Sequence, residues 1–275
     1  MKASDFVQTY ASRGPAAWEA AALEMAKAGT LVPWPLVPVS FTDGTRTLTI
    51  FVASDYLAVG EPGDILRLPL TPMTAQKIAD VFGMLLPTPK MVKTIHEQAP
   101  IKLATRGLVP NKNADLKQYA TQNAAIEAEI AGRAGLTSGS KKDVVLGNQY
   151  KPGKVVIYGW MQPNVPAGRD PFPMMTAPWR VQPYSPVHVE THVDYSHGIR
   201  LVSPDGDLDG VPVNVEAVLR DPARASLLSD EGPLKTTRYN VPKGNLTPVP
   251  YIPAAPRMVD QGLAWIQEQV LERKN

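Results

Sequence analysis

The sequence predicts an α+β fold with a mixed, mainly antiparallel sheet, several surface helices and long proline-rich loops. Helical and strand patterns follow one another without a regular βαβ alternation, which argues against a doubly wound parallel sheet. The chain also contains 28 prolines among its 275 residues, and this is about twice the usual share of roughly 5%. Because proline fixes φ and has no N–H to donate, much of the chain should be ordered but irregular.

The N-terminal segment predicts a helix followed by a hairpin. Residues 15–29 have proline at the start, Gly29 at the end and apolar residues on one face, as in an amphipathic helix. Asp43-Gly44 lies between two β-rich runs, which indicates a hairpin, and residues 63–70 predict another strand. We therefore expect a single domain over 1–275, in which 1–70 form a candidate helix-plus-hairpin subdomain.

Three helices are predicted in the middle of the chain. Thr71-Pro72 and Thr88-Pro89 place threonine at a cap and proline in the first turn of two of them. Asn113 is the predicted cap of the third, whose alanines and scattered polar residues are typical of a surface helix.

The second half of the chain predicts two paired strands, over 141–150 and 153–161, and then irregular structure. Residues 162–186 hold seven prolines and are predicted to be a long loop. Asn214 should cap a short helix, and 257–274 should form a closing amphipathic helix. The run Lys141-Lys142-Asp143 is interpreted as a solvated charge run.

Residues 186–198, PVHVETHVDYSHG, hold three of the four histidines of the chain. Alternate side chains of a β-strand share a face. A strand here would therefore place His188, His192 and Asp194 on one face and would direct Val189 and Val193 towards the core.

Imidazole and carboxylate groups in one row can transfer protons near neutral pH, or bind zinc, iron or manganese. The alternative interpretation is a solvent-facing edge strand without chemistry. His192-x-Asp194 also matches the first half of the two-His-one-carboxylate iron motif, but no histidine follows His197. The candidate catalytic residues are His188, His192, Asp194, Ser196 and His197. The candidate substrate-binding residues are Arg200, Trp160 and Tyr195.

The segment DGDLDGVPVNVE, residues 205–216, matches the spacing of a calcium-binding loop. Three carboxylates at alternate positions, a glycine and a closing glutamate could surround one Ca²⁺. An Asp/Gly-rich turn is the alternative, and Pro212 stands where such loops supply a backbone donor. The candidate calcium ligands are Asp205, Asp207, Asp209 and Glu216.

Two short segments carry resemblances. DYSHGIRLV, residues 194–202, resembles the DCSGLV nucleophile segment of NlpC-type cell-wall peptidases, but Tyr195 stands in place of the cysteine. The downstream histidine of that family is missing too, so the resemblance does not carry the peptidase function to this chain. The same segment, together with LLSDEGP at 227–233, is similar to uncharacterised bacterial and phage proteins, and that resemblance implies no activity.

Composition excludes several classes of function. The net charge of +2 gives no electrostatic basis for binding nucleic acid or an anionic membrane. The chain has no cysteine, so disulfides, thiolate ligands and a cysteine nucleophile are excluded. No signal peptide and no apolar run long enough to span a bilayer is found in the sequence, so we expect a soluble protein, either cytoplasmic or released without a leader.

These observations favour a hydrolase. The histidine-rich segment would activate water or a nucleophile, and the loop over 162–186 would wall the substrate cleft. We expect an amide or ester bond in a small-molecule or polymer substrate, such as a cell-wall polymer. The alternative is a non-catalytic structural or binding component of a virion or cell surface, rigidified by proline and braced by calcium.

Overall fold

The computed structural model describes residues 1–108, 115–168, 177–242 and 248–252. Its helices and mainly antiparallel sheets confirm the predicted α+β class. Among the described residues, no helix has the length and apolar character needed to cross a bilayer. The predicted C-terminal helix over 257–274 and the predicted cap Asn113 lie outside the described residues.

Six α-helices and one short 3₁₀ helix, Ala225–Leu227, are described. The α-helices are α1 (Ala3–Tyr10), α2 (Pro15–Lys27), α3 (Pro72–Phe82), α4 (Pro89–Gln98), α5 (Leu116–Ile130) and α6 (Val215–Arg220).

Three of the four predicted capping residues act as expected, and α5 is capped by Asp115 in place of the predicted Asn113. The hydroxyls of Thr71 and Thr88 accept hydrogen bonds from backbone N–H groups in the first turns of α3 and α4, and Asn214 does the same for α6. Helix α1 is an element that the sequence reading did not predict.

Twelve strands are described. They are β1 (Leu36–Thr42), β2 (Thr47–Ala53), β3 (Ala58–Glu61), β4 (Asp64–Arg67), β5 (Ile101–Lys102), β6 (Thr137–Ser138), β7 (Lys142–Val144), β8 (Ile157–Met161), β9 (Arg180–Ser185), β10 (His197–Gly198), β11 (Val202–Leu208) and β12 (Val211–Asn214).

Two four-stranded sheets organise the described residues. The first has the antiparallel order β1-β2-β11-β12, so the predicted hairpin at Asp43-Gly44 shares a sheet with residues 202–214. The second has the order β10-β7-β8-β9. It contains the predicted antiparallel pair β7-β8, and its edge strand β10 runs parallel to β7.

The region 162–186 is less irregular than predicted. Residues 180–185 form β9 and pair with β8 in spite of Pro183. Strand β9 is at the edge of its sheet, where a residue without an N–H is tolerated. Residues 169–176 of the predicted loop lie outside the described residues.

The main apolar core is formed by buried side chains from Ala3 to Tyr239. Helices α1, α2 and α3 and strands β1 and β2 contribute to it. A smaller cluster, which includes Tyr158, Met161 and Trp179, lies on the second sheet. Strands β7 and β8 are buried over most of their length, so side chains at their edges are held by a rigid support.

Candidate metal centre

The predicted histidine strand does not form. Residues 188–196 make turns and a single bridge between Lys154 and Val189, and only His197–Gly198 joins a sheet. Val189 is 53% exposed instead of buried, so the predicted alternation of faces is wrong. The physical reason is that the backbone of this segment bonds to a neighbouring loop: Val155 N donates to His188 O, and Glu190 N donates to Gly153 O.

The turns nevertheless bring three predicted side chains together. His192, Asp194 and His197 each offer a ligand atom, and these atoms all lie within 4.8 Å of one another. Among the described residues, this is the one group of three His, Asp or Glu side chains with such convergence. The group could hold a metal ion, because imidazole and carboxylate are ligands for zinc and other transition metals.

His197 is the anchored member of this group. Its side chain is completely buried on β10, and neither ring nitrogen has a hydrogen-bond partner within the described residues. Burial lowers the pKa of His197 to about 3, so the ring is neutral at pH 7 and keeps a lone pair. An unpartnered buried polar atom costs about 1–3 kcal/mol, and a bound metal would relieve that cost at one nitrogen.

Asp194 is oriented by the turn that follows it. One carboxylate oxygen, Oδ1, accepts the backbone N–H of Ser196 at 2.7 Å and also the Ser196 hydroxyl. Burial opposes ionisation, but His197, Lys142 and the Ser196 hydrogen bonds together lower the pKa of Asp194. The carboxylate is therefore ionised at neutral pH, and Oδ2 is the oxygen that faces His192, at 3.9 Å from its Nε2.

His192 is the more exposed of the two histidines in the group. Its side chain is 35% exposed, and its nearest charged contact is the 3.9 Å approach to Asp194. Two ligand atoms about 2.0–2.1 Å from a tetrahedral zinc lie about 3.3 Å apart. The ligand atoms, which lie within 4.8 Å of one another, would therefore have to come closer together to hold such an ion.

His188 lies beside the group but does not complete it. Its ring stacks on that of His192 with centroids 4.1 Å apart and planes 18° from parallel. The nitrogen lone pairs of stacked imidazoles point in parallel directions and do not converge on one ion. Partial burial and the neighbouring His192 and Lys142 lower the pKa of His188.

The run Lys141-Lys142-Asp143 is not a solvated charge run, as the sequence suggested. Lys141 and Asp143 are buried, and Lys142 is partly exposed next to Asp194. Lys141 Nζ donates to the carbonyl of Tyr195 and to Gln122 Oε1, both at 2.6 Å, and so holds the turn that carries the ligands. The signal that could have identified these lysines is their position directly before the apolar run VVL of a strand.

Gly198 permits the close approach of β10 to β7. A Cβ at this position would lie 2.6 Å from Lys141 Cβ and 2.6 Å from Tyr56 Cδ1. Real Cβ atoms essentially never come so close to other heavy atoms. The residue that follows His197 must therefore lack a side chain if His197 is to keep this position.

The predicted substrate-binding residues have structural contacts. Arg200 is buried, donates to the carbonyls of Ala53 and Thr137 and stacks on Tyr56, so its guanidinium group is bound within the protein. The Tyr195 hydroxyl bonds to the backbone of Leu108.

Two other predicted site residues are also held by the protein. Trp160 is 8% exposed and donates to the Ser140 carbonyl, and its ring lies 5.0 Å from Lys142 Nζ. Ser196, a predicted nucleophile, is 1% exposed and serves as a turn residue, because its hydroxyl is bonded to Asp194.

The predicted calcium loop is a β-hairpin. Asp209 and Gly210, with φ values of 53° and 85°, form a two-residue turn between β11 and β12. Asp209 accepts from Thr47 N, and Asp207 accepts from Gly210 N. Glu216 lies on α6, where its Oε1 accepts hydrogen bonds from Arg220 of the same helix and from the Thr237 hydroxyl. Asp205, Asp207 and Asp209 therefore belong to an extended hairpin and Glu216 to the helix that follows it, and the four carboxylates do not surround one ion.

Asp143 is a buried acid on β7, close to the candidate metal-binding residues, since it is the register partner of Gly198. Its Oδ2 accepts the hydroxyl of Tyr56 at 3.0 Å. Burial raises the pKa of Asp143 to about 7, although Arg200 and the Tyr56 hydrogen bond oppose the shift. The charged or titratable groups that line the same small cavity are Tyr56, His96, Lys141 and Arg200.

We expect Asp143 to make stability depend on pH. Its pKa is about 7 in the folded chain against 3.8 for the ordinary group, so the folded state retains a proton that the unfolded state has lost. This contribution is complete below about pH 4 and is lost as the pH rises through 7. Urea denaturation at pH 4, 5.5 and 7.5 should show that the difference in free energy between the wild type and Asp143→Asn narrows or reverses as the pH rises. A difference that does not change with pH would contradict the buried, protonated acid.

Known proteins offer no guide to this group of residues. No family model, no curated protein and no solved structure matches the chain. What the site does must therefore be argued from the chemistry of its own residues.

Proposed function

We propose that the chain is a metal-dependent hydrolase in which His192, Asp194 and His197 hold a zinc ion that activates water. The observation that carries the proposal is the convergence of these three side chains, with both nitrogens of the buried His197 unpartnered within the described residues. Neutral imidazoles and an ionised carboxylate are the protonation states that metal binding requires.

The number of ligands favours a catalytic role over a structural one. Structural zinc sites are usually closed by four protein ligands, whereas catalytic sites have three and leave a position for water. The described group has three, and the side chains of His192 and Asp194 are each about one-third exposed, so the remaining position is open to solvent. Zinc lowers the pKa of bound water to about 7 and polarises a carbonyl oxygen.

The other residues near the group have supporting roles in this proposal. His188 stacks on His192 at the exposed side and is placed to exchange protons with solvent. Ser196 and Lys141 hold the turn and position the ligands. The bond cleaved would be an amide or ester in a small molecule or a polymer, because these carbonyl compounds are attacked by metal-bound hydroxide.

Metal binding tests the proposal first. The full chain is treated with a chelator, dialysed and then titrated with zinc. Elemental analysis of the zinc-loaded protein should give one zinc per chain. His192→Gln should lose at least about tenfold in zinc affinity, since even outer-shell changes cost 10–100-fold. The matched control is His188→Gln, which removes the stacked neighbour and should retain the metal. Manganese, iron(II) and calcium are titrated in parallel to identify the preferred ion.

The outcomes separate the alternatives. A chain that binds no transition metal, or binds it equally well as His192→Gln, would overturn the metal centre. A chain that binds zinc but hydrolyses none of a broad panel of amides and esters, with and without zinc, would favour the non-catalytic alternative. In that case the metal would brace the turn over residues 188–197 of a structural or binding component.

A further inference from the structure

We propose that Lys142 binds an anionic group of the substrate, a phosphate or a carboxylate, beside the metal ion. This inference rests on the proposed function and specifies its substrate class. The observation behind it is the juxtaposition of the Lys142 ammonium group with the metal-binding carboxylate, without a hydrogen bond between them.

Lys142 is fixed close to the site by its backbone. Its N–H donates to the carbonyl of Ser196 at 2.6 Å, and in the β7-β10 pair it is the register partner of His197. The ammonium group lies 3.6 Å from Asp194 Oδ2. The side chain is 16% exposed, so it is partly withdrawn from water but not sealed from it.

The ammonium group has capacity for an external ligand. Among the described residues, Lys142 Nζ makes no hydrogen bond, and its ion-pair partner Asp194 is 3.6 Å away. The same nitrogen lies 5.0 Å from the centre of the Trp160 ring. The adjacent Lys141 differs, since its Nζ has two acceptors at 2.6 Å. A lysine ammonium group has three donors, and a strongly hydrated cation in a partly buried position gains from anionic oxygens.

Metal binding would increase this capacity. A divalent ion held by Asp194 would offset the negative charge that faces Lys142, and the site would then carry the charges of the metal and the ammonium group against one carboxylate. An anion with two oxygens can contact both cations at once, and such charge-assisted contacts are the stronger class of hydrogen bond. The indole of Trp160 forms one wall beside the ammonium group and limits the direction from which an anion can approach it.

The alternative is that Lys142 only neutralises Asp194. In that case its removal would change metal affinity and would leave anion binding as it is. If Lys142 binds the substrate, its removal weakens anion binding at unchanged metal affinity. Metal affinity and anion affinity therefore distinguish the two roles of Lys142.

The experiment uses the zinc-loaded full chain, with inorganic phosphate and acetate as probes in calorimetric titrations. We expect phosphate, acetate or both to bind, and Lys142→Gln to weaken that binding by about tenfold to a hundredfold, the usual effect of one charged hydrogen bond. Lys142→Arg should restore part of it. The matched control is Lys154→Gln, because Lys154 is a neighbouring, partly exposed lysine whose Nζ donates to the Val187 carbonyl. The relative affinities of phosphate and acetate distinguish a phosphate ester from a carboxylate-bearing substrate.

Each outcome decides the inference. Zinc binding together with phosphate or acetate binding that does not change in Lys142→Gln overturns this inference and leaves the metal centre intact. The same holds if the zinc-loaded chain binds neither anion, or if Lys142→Gln loses zinc affinity alone. Failure of the wild-type chain to bind zinc overturns the proposed function and this inference together.

Discussion

Replacing His192 by alanine should lower turnover at least about a hundredfold while leaving the chain folded. The change removes one of the three proposed metal ligands, and even the loss of a single acid–base group typically costs about 10²–10⁴ in rate. His192 is the best ligand to replace because its side chain is 35% exposed and makes no close hydrogen bond among the described residues. His197→Ala would also leave a hole in the buried region around β10, which would confuse loss of metal with loss of stability.

The measurement is turnover on the best substrate of the amide and ester panel, at saturating zinc, with thermal melts of both proteins. Lys154→Gln is the control for a side-chain replacement at the same surface, and it should retain the wild-type rate. Wild-type turnover in His192→Ala would show that catalysis does not use this group. A large fall in melting temperature of the metal-free protein would show that His192 has a structural role that the described contacts do not reveal.

Replacing Asp55 by asparagine should destabilise the chain by about 3–5 kcal/mol, the usual cost of breaking a buried ion pair. Asp55 and Arg67 form a bidentate pair with N···O distances of 2.9 and 2.5 Å, and their side chains are only 4% and 1% exposed. Burial alone would raise the pKa of Asp55, but the charge and hydrogen bonds of Arg67 lower it instead. Without the carboxylate, Arg67 would retain a buried positive charge with one ionised partner, the more exposed Glu127, beside the neutral Asn123 amide oxygen.

Glu127→Gln is the matched control, because it removes the other carboxylate from the same guanidinium group. The Glu127 side chain is 41% exposed, so its ion pair is screened by water and should contribute less than about 1 kcal/mol. Urea denaturation of the wild type and both variants measures the comparison. If Asp55→Asn were no less stable than Glu127→Gln, burial would not be what makes the Asp55 pair important.

Local sequence signals predicted five of the six described α-helices and the first hairpin. Thr71 and Thr88 cap their helices because a threonine hydroxyl followed by proline suits a helix start wherever it occurs. The same local reasoning failed at Asp209-Gly210. A pair of residues that suits a two-residue hairpin turn also satisfies part of the calcium-loop pattern, and the β2-β11 pairing that selects the hairpin is a long-range contact.

The sequence identified which residues belong to the candidate site, but it did not predict their arrangement in space. His192, Asp194 and His197 were identified because histidine and aspartate are concentrated in one segment, whereas their convergence depends on turns anchored to residues 153–155. Lys142 was misinterpreted for a related reason. The sequence around a charged residue does not show whether a distant segment will pack over it. Here the turn that contains Asp194 and Ser196 packs against Lys142 and partly buries it.

The glycine after His197 has a consequence for how such a site is inherited. Because a Cβ at Gly198 would collide with Lys141 and Tyr56, a lineage that accepts any other residue there must move β10 away from β7 and displace the histidine with it. The ligand can therefore be lost through a mutation that touches no ligand. In related sequences, His197 and Gly198 should be conserved together or lost together. The residues between His188 and His192 should vary more freely.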